Sequence, residues 1–181
     1  MGAEKKIIER GKIKLIQVYT GCGKGKTTAA LGLAIRAAGA GLKVYIAQFI
    51  KSGRYSELAA LAKFKNIKIE QFGNPCFIRG APQEKDLDSA QRGLERVKEV
   101  LKTKKYDMLI LDEINIALKL KLLELEEVME VIKKAPKKTE LILTGRDAHP
   151  QVIKIADLVS EINEVKHYFQ QGVKARKGIE F

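Results

Sequence analysis

The feature that most constrains this chain is a glycine-rich turn between an apolar run and a helical pattern. Residues 13–19 (IKLIQVY) form the apolar run, residues 20–28 are TGCGKGKTT, and the helical pattern continues to about residue 40. Glycines allow the backbone to curl so that successive N–H groups point inward, and the start of a helix adds partial positive charge. This combination of strand, turn and helix predicts a loop that binds phosphate groups.

The residues that follow the last glycine of this loop fit a nucleotide triphosphate. Lys26 would reach phosphate oxygens, and the Thr27 hydroxyl would be a ligand of Mg²⁺. The usual pattern G-x-x-x-x-G-K-[ST] would begin with glycine at position 20, where this chain has Thr20, so the loop is one residue short. A glycine-rich turn without a ligand would explain the glycines but not the Lys-Thr-Thr sequence. We therefore expect the loop to bind a nucleotide triphosphate.

Length and charge limit the possible classes of protein. A chain of 181 residues can bury a sizeable core, and we expect residues 1–181 to form one domain. Its ends are predicted to be a polar arm at residues 1–12 and an irregular tail at residues 165–181. The net charge of +12 is compatible with nucleic-acid binding, but a pocket for a polyanion such as ATP also favours positive charge. Because the basic residues are dispersed along the chain, we do not expect nucleic acid as a partner.

Hydropathy and cysteine content indicate the compartment. The first dozen residues lack the apolar stretch of a signal peptide, and no run of 18 apolar residues occurs anywhere. Cys22 and Cys76 form neither a disulfide framework nor a metal-binding spacing, which agrees with a reducing compartment. We therefore expect a cytoplasmic protein without a membrane partner.

Apolar runs alternate with helical patterns along the whole chain. Strands are predicted at residues 13–19, 42–50, 66–72, 106–112, 140–144 and 158–162. Helices are predicted from the loop to about residue 40 and at residues 56–63, 83–104, 114–121, 124–134 and 150–156. This alternation predicts an α/β fold, in which a mostly parallel sheet of about six strands is flanked by helices on both faces. Ligands of such sheets bind beyond the carboxyl ends of the strands, so we expect one crevice there.

Two acids at the end of a buried strand form a second nucleotide signature. Asp112 and Glu113 follow four apolar residues, and an acid in this position beside a phosphate loop can bind Mg²⁺ directly or through water. A strand that simply ends in charged residues at the surface is the alternative. Because the phosphate loop lies upstream, we prefer the magnesium interpretation.

Four further side chains are candidates whose roles the sequence leaves open. Arg36, on an otherwise apolar helix, either extends to solvent or is held by an anion. Arg146 follows a strand end and is better placed to contact a triphosphate. Cys22 lies near a helix N-terminus, a setting that favours thiolate, although a small residue that fills the loop is the simpler interpretation. His167, considered alone, would be a surface histidine.

Seven short motifs occur together between residues 13 and 181. They are TGCGKGKTTAA after the first strand, A-x-R-A-x-G-x-G-L-K-V at 34–44, QFIK at 48–51, LDEIN at 111–115, LTGR at 143–146, V-K-H-x-F at 165–169 and G-x-K-A-x-x-G-I-E-F at 172–181. This set resembles the ATP:corrinoid adenosyltransferases of the phosphate-loop type. A phosphate loop alone occurs in many unrelated proteins, whereas the combination with this tail is specific.

The resemblance implies both a fold and a reaction. The fold is that of phosphate-loop NTPases with RecA-like architecture. The reaction transfers the 5′-deoxyadenosyl group of ATP to the reduced cobalt of a corrinoid, which yields adenosylcobalamin or an adenosylated precursor and releases triphosphate. The resemblance also implies Mg²⁺, a homodimer and an electron-donating reductase. Such proteins bind ATP in the reverse sense, and the short loop would then hold all three phosphates as one leaving group.

The resemblance also implies roles for individual residues. Lys26, Thr27 and Glu113 would be the catalytic residues, and Thr27 and Glu113 would ligate Mg²⁺ with support from Asp112. Cobalt is the nucleophile, so the protein would act by positioning the reactants and by stabilising the leaving charge. The ATP-binding residues would be Gly21, Cys22, Gly23, Lys24, Gly25, Lys26, Thr27, Thr28, Arg36 and Arg146.

The chain departs from the pattern of these proteins at two places. They often have Asn where this chain has Cys22, and better-known members carry a Phe and a Trp near the 73–82 loop. The resemblance implies that this aromatic pair displaces the lower axial ligand of cobalt, yet this chain has no tryptophan. Phe77 could fill one of the two roles, and Ile78 or Arg79 lies near the other. The predicted corrinoid-binding residues are Phe77, Arg79 and His167.

Two other functions are compatible with the motifs. A phosphate-loop ATPase stimulated by nucleic acid would bind DNA or RNA tightly, in a salt-sensitive manner, and would hydrolyse ATP faster when bound. A corrinoid or nucleotide carrier without enzymatic activity would bind its ligand without turnover.

Overall fold

A computed structural model describes residues 14–74 and 80–181, and its centre is one sheet. The strands are β1 (Ile16–Thr20), β2 (Val44–Phe49), β3 (Ile67–Phe72), β4 (Met108–Asp112), β5 (Glu140–Thr144) and β6 (Leu158–Glu161). They lie in the order β3-β2-β4-β5-β1-β6, and every neighbouring pair is parallel. The predicted α/β fold is therefore confirmed, and the sheet is wholly rather than mostly parallel.

Helices connect successive strands, as parallel pairing requires. They are α1 (Lys26–Gly39), α2 (Ser56–Leu61), α3 (Glu84–Thr103), α4 (Ile114–Lys119), α5 (Leu125–Lys134) and α6 (Pro150–Ile155). Each predicted strand and helix is present, with bounds that differ by a few residues at most. The tail is less irregular than predicted, because residues Tyr168–Gln171 form a short 3₁₀ helix.

Alternate residues of the central strands face two separate helical layers. Val44 and Ile46 pack with residues of α1 and α2, whereas Tyr45, Ala47 and Phe49 pack with residues of α3, α4, α5 and α6. This arrangement explains the continuous apolar sequence of β2, all six residues of which are buried. It also confirms the prediction of helices on both faces of the sheet.

The two layers pack on the sheet through different kinds of side chain. Helix α1 packs with small side chains, Ala30, Ala34 and Ala37, which let its backbone lie close to the strands. Helix α3 instead uses a regular apolar face and begins with a capping box, in which Gln83 and Asp86 each accept a backbone N–H of the other. Helix α1 contacts β1 and β4, the strands whose ends carry the phosphate loop and the acid pair.

Parallel pairing brings the carboxyl ends of all six strands to one edge of the sheet. That edge carries the phosphate loop after β1, residues 50–51 after β2, residues 73–74 after β3, Glu113 after β4 and residues 145–146 after β5. The expected crevice is therefore at this edge. Strand β3 lies at one side of the sheet, as its alternating sequence predicted, and β6 lies at the other.

Some predictions concern residues outside the described ranges. The polar arm at residues 1–12 and the corrinoid candidates Phe77 and Arg79 belong to this group. The assignment of residues 1–181 to one domain also stays a prediction. Across residues 14–74 and 80–181, no helix is both long enough and apolar enough to span a bilayer.

Candidate active site

The phosphate loop joins β1 to α1 with its lysine folded back onto the loop. The Lys26 ammonium donates a hydrogen bond to the carbonyl oxygen of Gly23 at 2.6 Å. Burial lowers the pKa of Lys26, although the carboxylate of Glu113 acts in the opposite direction. Gly25 precedes the helix with φ of 124°, a conformation that residues with a Cβ rarely adopt. A triphosphate in this loop would offer Lys26 better acceptors than one carbonyl group.

Two of the loop glycines are needed for a close approach between backbones. A Cβ on Gly21 would lie 2.4 Å from the carbonyl oxygen of Ile162, and one on Gly23 would lie 2.8 Å from the same atom. The N–H of Gly23 also donates to that oxygen at 2.7 Å. The sequence suggested that these glycines only shape the loop around phosphate. The structure adds that they let the loop pack directly against the chain that follows β6.

Asp112 is the centre of a buried hydrogen-bond network at the end of β4. Its Oδ1 accepts from the hydroxyls of Thr27 at 2.9 Å and Thr144 at 2.6 Å. Its Oδ2 accepts from the Gln48 amide at 3.1 Å and from the Lys51 ammonium at 2.7 Å. The side chain is fully buried, and each oxygen already has two donors. Asp112 therefore orients Thr27 and is poorly placed to ligate a metal ion directly.

Glu113 adopts a left-handed backbone conformation, with φ of 62°. This conformation costs on the order of 1–3 kcal/mol for a residue with a side chain, and such strain is concentrated at functional sites. The backbone N–H of Glu113 donates to the Thr144 hydroxyl at 3.0 Å, which fixes the turn from β4 into α4. Burial and the neighbouring Asp112 raise the pKa of the Glu113 carboxyl, and the nearby cations only partly oppose them. Such a carboxylate would gain a favourable partner from a bound cation.

Lys51 belongs to the site, although no role was predicted for it from the sequence. Its ammonium contacts Asp112 and also donates to the Thr27 hydroxyl at 3.1 Å. Burial opposes its charge, but the carboxylate of Asp112 outweighs this effect and raises the pKa of Lys51. One sequence feature could have indicated this role. Lys51 is the last residue of the QFIK motif, three residues after Gln48 at the end of a central strand. Gln48 pairs with Asp112 across β2 and β4, which brings the two segments together.

The donor set of the site fits Mg²⁺ in its chemistry. Thr27, Asp112 and Glu113 supply only oxygen atoms, which are the ligands that Mg²⁺ prefers. Within the described ranges, no group of three or more His, Cys, Asp or Glu side chains is arranged to hold a metal ion. Phosphate oxygens and water would therefore have to complete the coordination, as is usual for Mg²⁺ bound with a nucleotide.

The two predicted arginines lie in different places. Arg146 is exposed directly after β5, and its charge acts on the pKa of both Lys26 and Glu113. Arg36 is exposed in the last turn of α1, about 15 Å along the helix from Lys26. The structure therefore brings Arg146, but not Arg36, to the phosphate loop. The position of Arg36 favours the interpretation of a side chain that extends to solvent, and its role in ATP binding stays a prediction.

The tail packs against the phosphate loop through a cluster of polar side chains. The Lys24 ammonium donates to the Tyr168 hydroxyl at 2.7 Å and to the Glu180 carboxylate at 2.8 Å. The Arg176 guanidinium lies 4.9 Å from the centre of the Tyr168 ring and also forms an ion pair with Glu180. These contacts connect Lys24, a predicted ATP-binding residue, to residues more than 140 positions away.

A cavity of about 370 Å³ separates the loop from the first part of the tail. Gly23 and Lys24 line one side, and residues 163–168 line the other, with His167 among them. The Nδ1 atom of His167 accepts the N–H of Phe169 and so caps the 3₁₀ helix. His167 is therefore close to the loop, where a second substrate could meet ATP. Of the other predicted loop residues, Cys22 and Thr28 are exposed.

Comparison with known proteins shows the family. Residues 12–181 match the sequence model of the family described as ATP:corrinoid adenosyltransferase BtuR/CobO/CobP. The chain belongs to this family. The corrinoid adenosyltransferase of Pseudomonas aeruginosa is 36% identical over 175 residues, which cover 96% of this chain and 85% of that protein. The corrinoid adenosyltransferase of Escherichia coli is 36% identical over 173 residues, which cover 96% of this chain and 87% of that protein.

Membership of this family establishes the reaction. The protein is a corrinoid adenosyltransferase, which transfers the adenosyl group of ATP to a corrinoid. The resemblance inferred from the seven motifs is thereby confirmed, and the family does not support the alternatives of a nucleic-acid-stimulated ATPase or a carrier. A KaiC-like protein from Pyrococcus horikoshii has the same fold, with a TM-score of 0.56 and 20% identity over 87% of this chain and 75% of that one.

Proposed function

We propose that this site transfers the 5′-deoxyadenosyl group by holding the triphosphate of ATP as a single leaving group. The reduced cobalt would attack C5′, a cobalt–carbon bond would form, and the C5′–O bond would break. Its electron pair would leave with the triphosphate. The observation that carries this proposal is the convergence of Lys26, Thr27 and Glu113 at the ends of β1 and β4, with Asp112 hydrogen-bonded to Thr27.

The residues of the site would act on the leaving group. Cobalt supplies the electron pair, so no side chain needs to remove a proton. The N–H groups of the loop, together with Lys26 and Arg146, would stabilise the charge that develops on the triphosphate. Lys26 is buried, and among residues 14–74 and 80–181 no carboxylate lies within hydrogen-bond distance of its ammonium group, which makes a phosphate group favourable there. The site would also increase the reaction rate by positioning C5′ of ATP towards the cobalt of the corrinoid.

Thr27 and Glu113 would hold Mg²⁺, and Asp112 would orient Thr27. A bound Mg²⁺ would neutralise charge on the triphosphate and so favour its departure. The raised pKa of the Glu113 carboxyl supports this assignment, because a partly desolvated carboxylate gains from a bound cation. The hydrogen bond from Thr27 to Asp112 directs the hydroxyl proton away from the phosphate loop, which leaves a lone pair of Thr27 for the metal.

The test uses purified protein, ATP, Mg²⁺ and chemically reduced cobalamin. We expect adenosylcobalamin and triphosphate as products, and release of orthophosphate or ADP would contradict the proposal. Thr27→Ala and Glu113→Ala should lower the Mg²⁺-dependent rate by about 10–100-fold. Glu126→Ala, an exposed acid in the first turn of α5, is the matched control and should keep the full rate. Full rates in both site variants would refute the assigned magnesium ligands.

The remaining assignments are proposals of the same kind. Phe77, Arg79 and His167 are the candidate corrinoid contacts, and the cavity beside His167 supports the third of them. A homodimer is supported by the apolar side chains of Leu158 and Val159, which are more than 40% exposed on the edge strand β6. Light scattering would test the dimer. An electron-donating reductase and a cytoplasmic location are expected from the family resemblance and the sequence, and co-purification and cell fractionation would test them.

A further inference from the structure

The ammonium group of Lys51 contacts two side chains of the proposed magnesium site. It lies 2.7 Å from Asp112 Oδ2 and 3.1 Å from Thr27 Oγ1. Thr27 is a proposed magnesium ligand, and Asp112 is the acid that orients it. Lys51 is largely buried, with 17% of its side chain exposed, and Asp112 has 1% exposed. The positively charged side chain of Lys51 thus contacts both Thr27 and Asp112 within the proposed magnesium site.

The backbone around Lys51 indicates that this position is built into the fold. Ile50 has φ of 61°, which is rare for a β-branched residue and costs on the order of 1–3 kcal/mol. A Cβ on Gly73 would lie 2.5 Å from the carbonyl carbon of Ile50 and 2.5 Å from the nitrogen of Lys51. The N–H of Ile50 also donates to the carbonyl oxygen of Phe72 at 2.9 Å. A lysine on a mobile surface loop would need neither the strain nor the close packing.

We propose that Lys51 is a positioning residue that holds Thr27 and Asp112 in place and excludes the metal ion until the triphosphate arrives. The Lys51 ammonium donates to the Thr27 hydroxyl, so it competes with a divalent cation for that oxygen and repels the cation through its charge. The triphosphate changes this balance, since it offers Lys51 a new anionic partner and offers the metal ion additional oxygen ligands. The metal and ATP therefore bind together. This inference rests on the proposed magnesium site.

The proposal is tested with Mn²⁺ alone, detected as loss of the free-ion signal in electron paramagnetic resonance. Lys51→Gln removes the charge but keeps an N–H donor for Asp112, and it should bind Mn²⁺ at least about tenfold more tightly than the wild type. Lys51→Arg keeps the charge and should bind Mn²⁺ as weakly as the wild type. Lys63→Gln, at an exposed lysine of the same charge, is the matched control and should leave Mn²⁺ binding unchanged. Lys51→Met takes the place of Lys51→Gln if the latter does not fold.

A second measurement concerns nucleotide affinity. Calorimetric titration of Lys51→Gln with ATP and Mg²⁺ should give an affinity at least about tenfold weaker than that of the wild type, because the triphosphate loses one cationic partner. Lys51→Arg, which keeps the positive charge, should retain most of the ATP affinity of the wild type. An Mn²⁺ affinity of Lys51→Gln equal to that of the wild type would overturn the proposal, as would an unchanged ATP affinity.

The double variant Lys51→Gln/Glu113→Ala separates this inference from the magnesium site on which it rests. Loss of the extra Mn²⁺ affinity in the double variant would place the ion at the proposed site and support the role of Lys51. Unchanged Mn²⁺ binding in Lys51→Gln, together with low activity in Thr27→Ala and Glu113→Ala, would reject the role of Lys51 and keep the magnesium ligands. Tight Mn²⁺ binding that survives the loss of Glu113 would reject both assignments.

Discussion

Replacement of Asp112 by asparagine tests the central network of the site. The carboxylate accepts four hydrogen bonds, two at each oxygen, and is fully buried. An amide has one acceptor oxygen and carries no charge, so the largely buried Lys51 would lose its counter-ion. Breaking a buried ion pair in this way costs about 3–5 kcal/mol. Asp112→Asn should therefore lose a large part of the roughly 5–15 kcal/mol that is typical of the total stability of a domain.

The assay is equilibrium unfolding in urea, followed by circular dichroism, with thermal unfolding as a second measurement. For a chain of this size, a loss of about 3–5 kcal/mol corresponds to a drop of roughly 6–20 °C in Tm. Asp147→Asn is the control. Asp147 forms an ion pair with Lys119 at 2.6 Å, but more than half of each side chain is exposed, and such pairs contribute about 0–1 kcal/mol. Asparagine also tolerates the φ of 55° at this position.

The comparison between the two variants decides the outcome. Equal, small losses of stability in Asp112→Asn and Asp147→Asn would show that the buried carboxylate is not needed to balance Lys51. A change in the slope of unfolding against urea concentration would instead indicate an altered unfolded or native ensemble, so the comparison requires equal slopes.

Two further predictions concern packing and pH. Gly73→Ala should destabilise the protein by about 1–3 kcal/mol, since its Cβ would be forced against the backbone at Ile50, whereas Gly32→Ala, with open space around its Cβ, should stabilise α1 by about 0.5–1 kcal/mol. Equal shifts in Tm for Gly73→Ala and Gly32→Ala would contradict the close approach of Gly73 to the backbone of Ile50. Burial opposes ionisation of Glu70, but hydrogen bonds from three side chains outweigh it and lower its pKa from 4.5 to about 2. The three donors are Lys68, Tyr45 and Arg96. A carboxyl whose pKa is lowered in the folded state stabilises the fold above its unfolded pKa, and this stabilisation is lost as pH falls. The difference in free energy of unfolding between the wild type and Glu70→Gln should therefore shrink between pH 4.5 and 2. An advantage that does not change with pH would reject this account of Glu70.

Much of the fold followed from local patterns in the sequence. The continuous apolar sequence of β2 predicted a strand covered on both faces, and all six of its residues are buried. The alternation of strands and helices predicted parallel pairing, because a parallel connection needs a crossover long enough to hold a helix. The TGCGKGKTT sequence predicted the loop between β1 and α1, and Asp112 and Glu113 lie at the end of β4 as expected.

Other parts of the site depend on contacts that no local pattern shows. The QFIK motif at the end of a strand marked the segment of Lys51, but no local pattern showed that this lysine, one of 34 lysines and arginines, contacts Asp112. The need for glycine at Gly21 and Gly23 comes partly from Ile162, which lies far along the chain. Arg36 matched a motif of the family, yet it lies at the far end of α1 from the loop. The contacts of the tail with Lys24 were likewise outside the reach of sequence patterns.

The sequence by itself determined the identity of the elements, the phosphate loop and the family, because these depend on the order of residues along the chain. Only the tertiary structure decided which strand ends are neighbours, because that depends on pairing between segments far apart. Strand β2 pairs with β4, and Lys51 therefore meets Asp112, 61 residues away. The phosphate loop was evident from the sequence at once, whereas the contacts of Lys51 with Asp112 and Thr27 became visible only when β2 was placed beside β4.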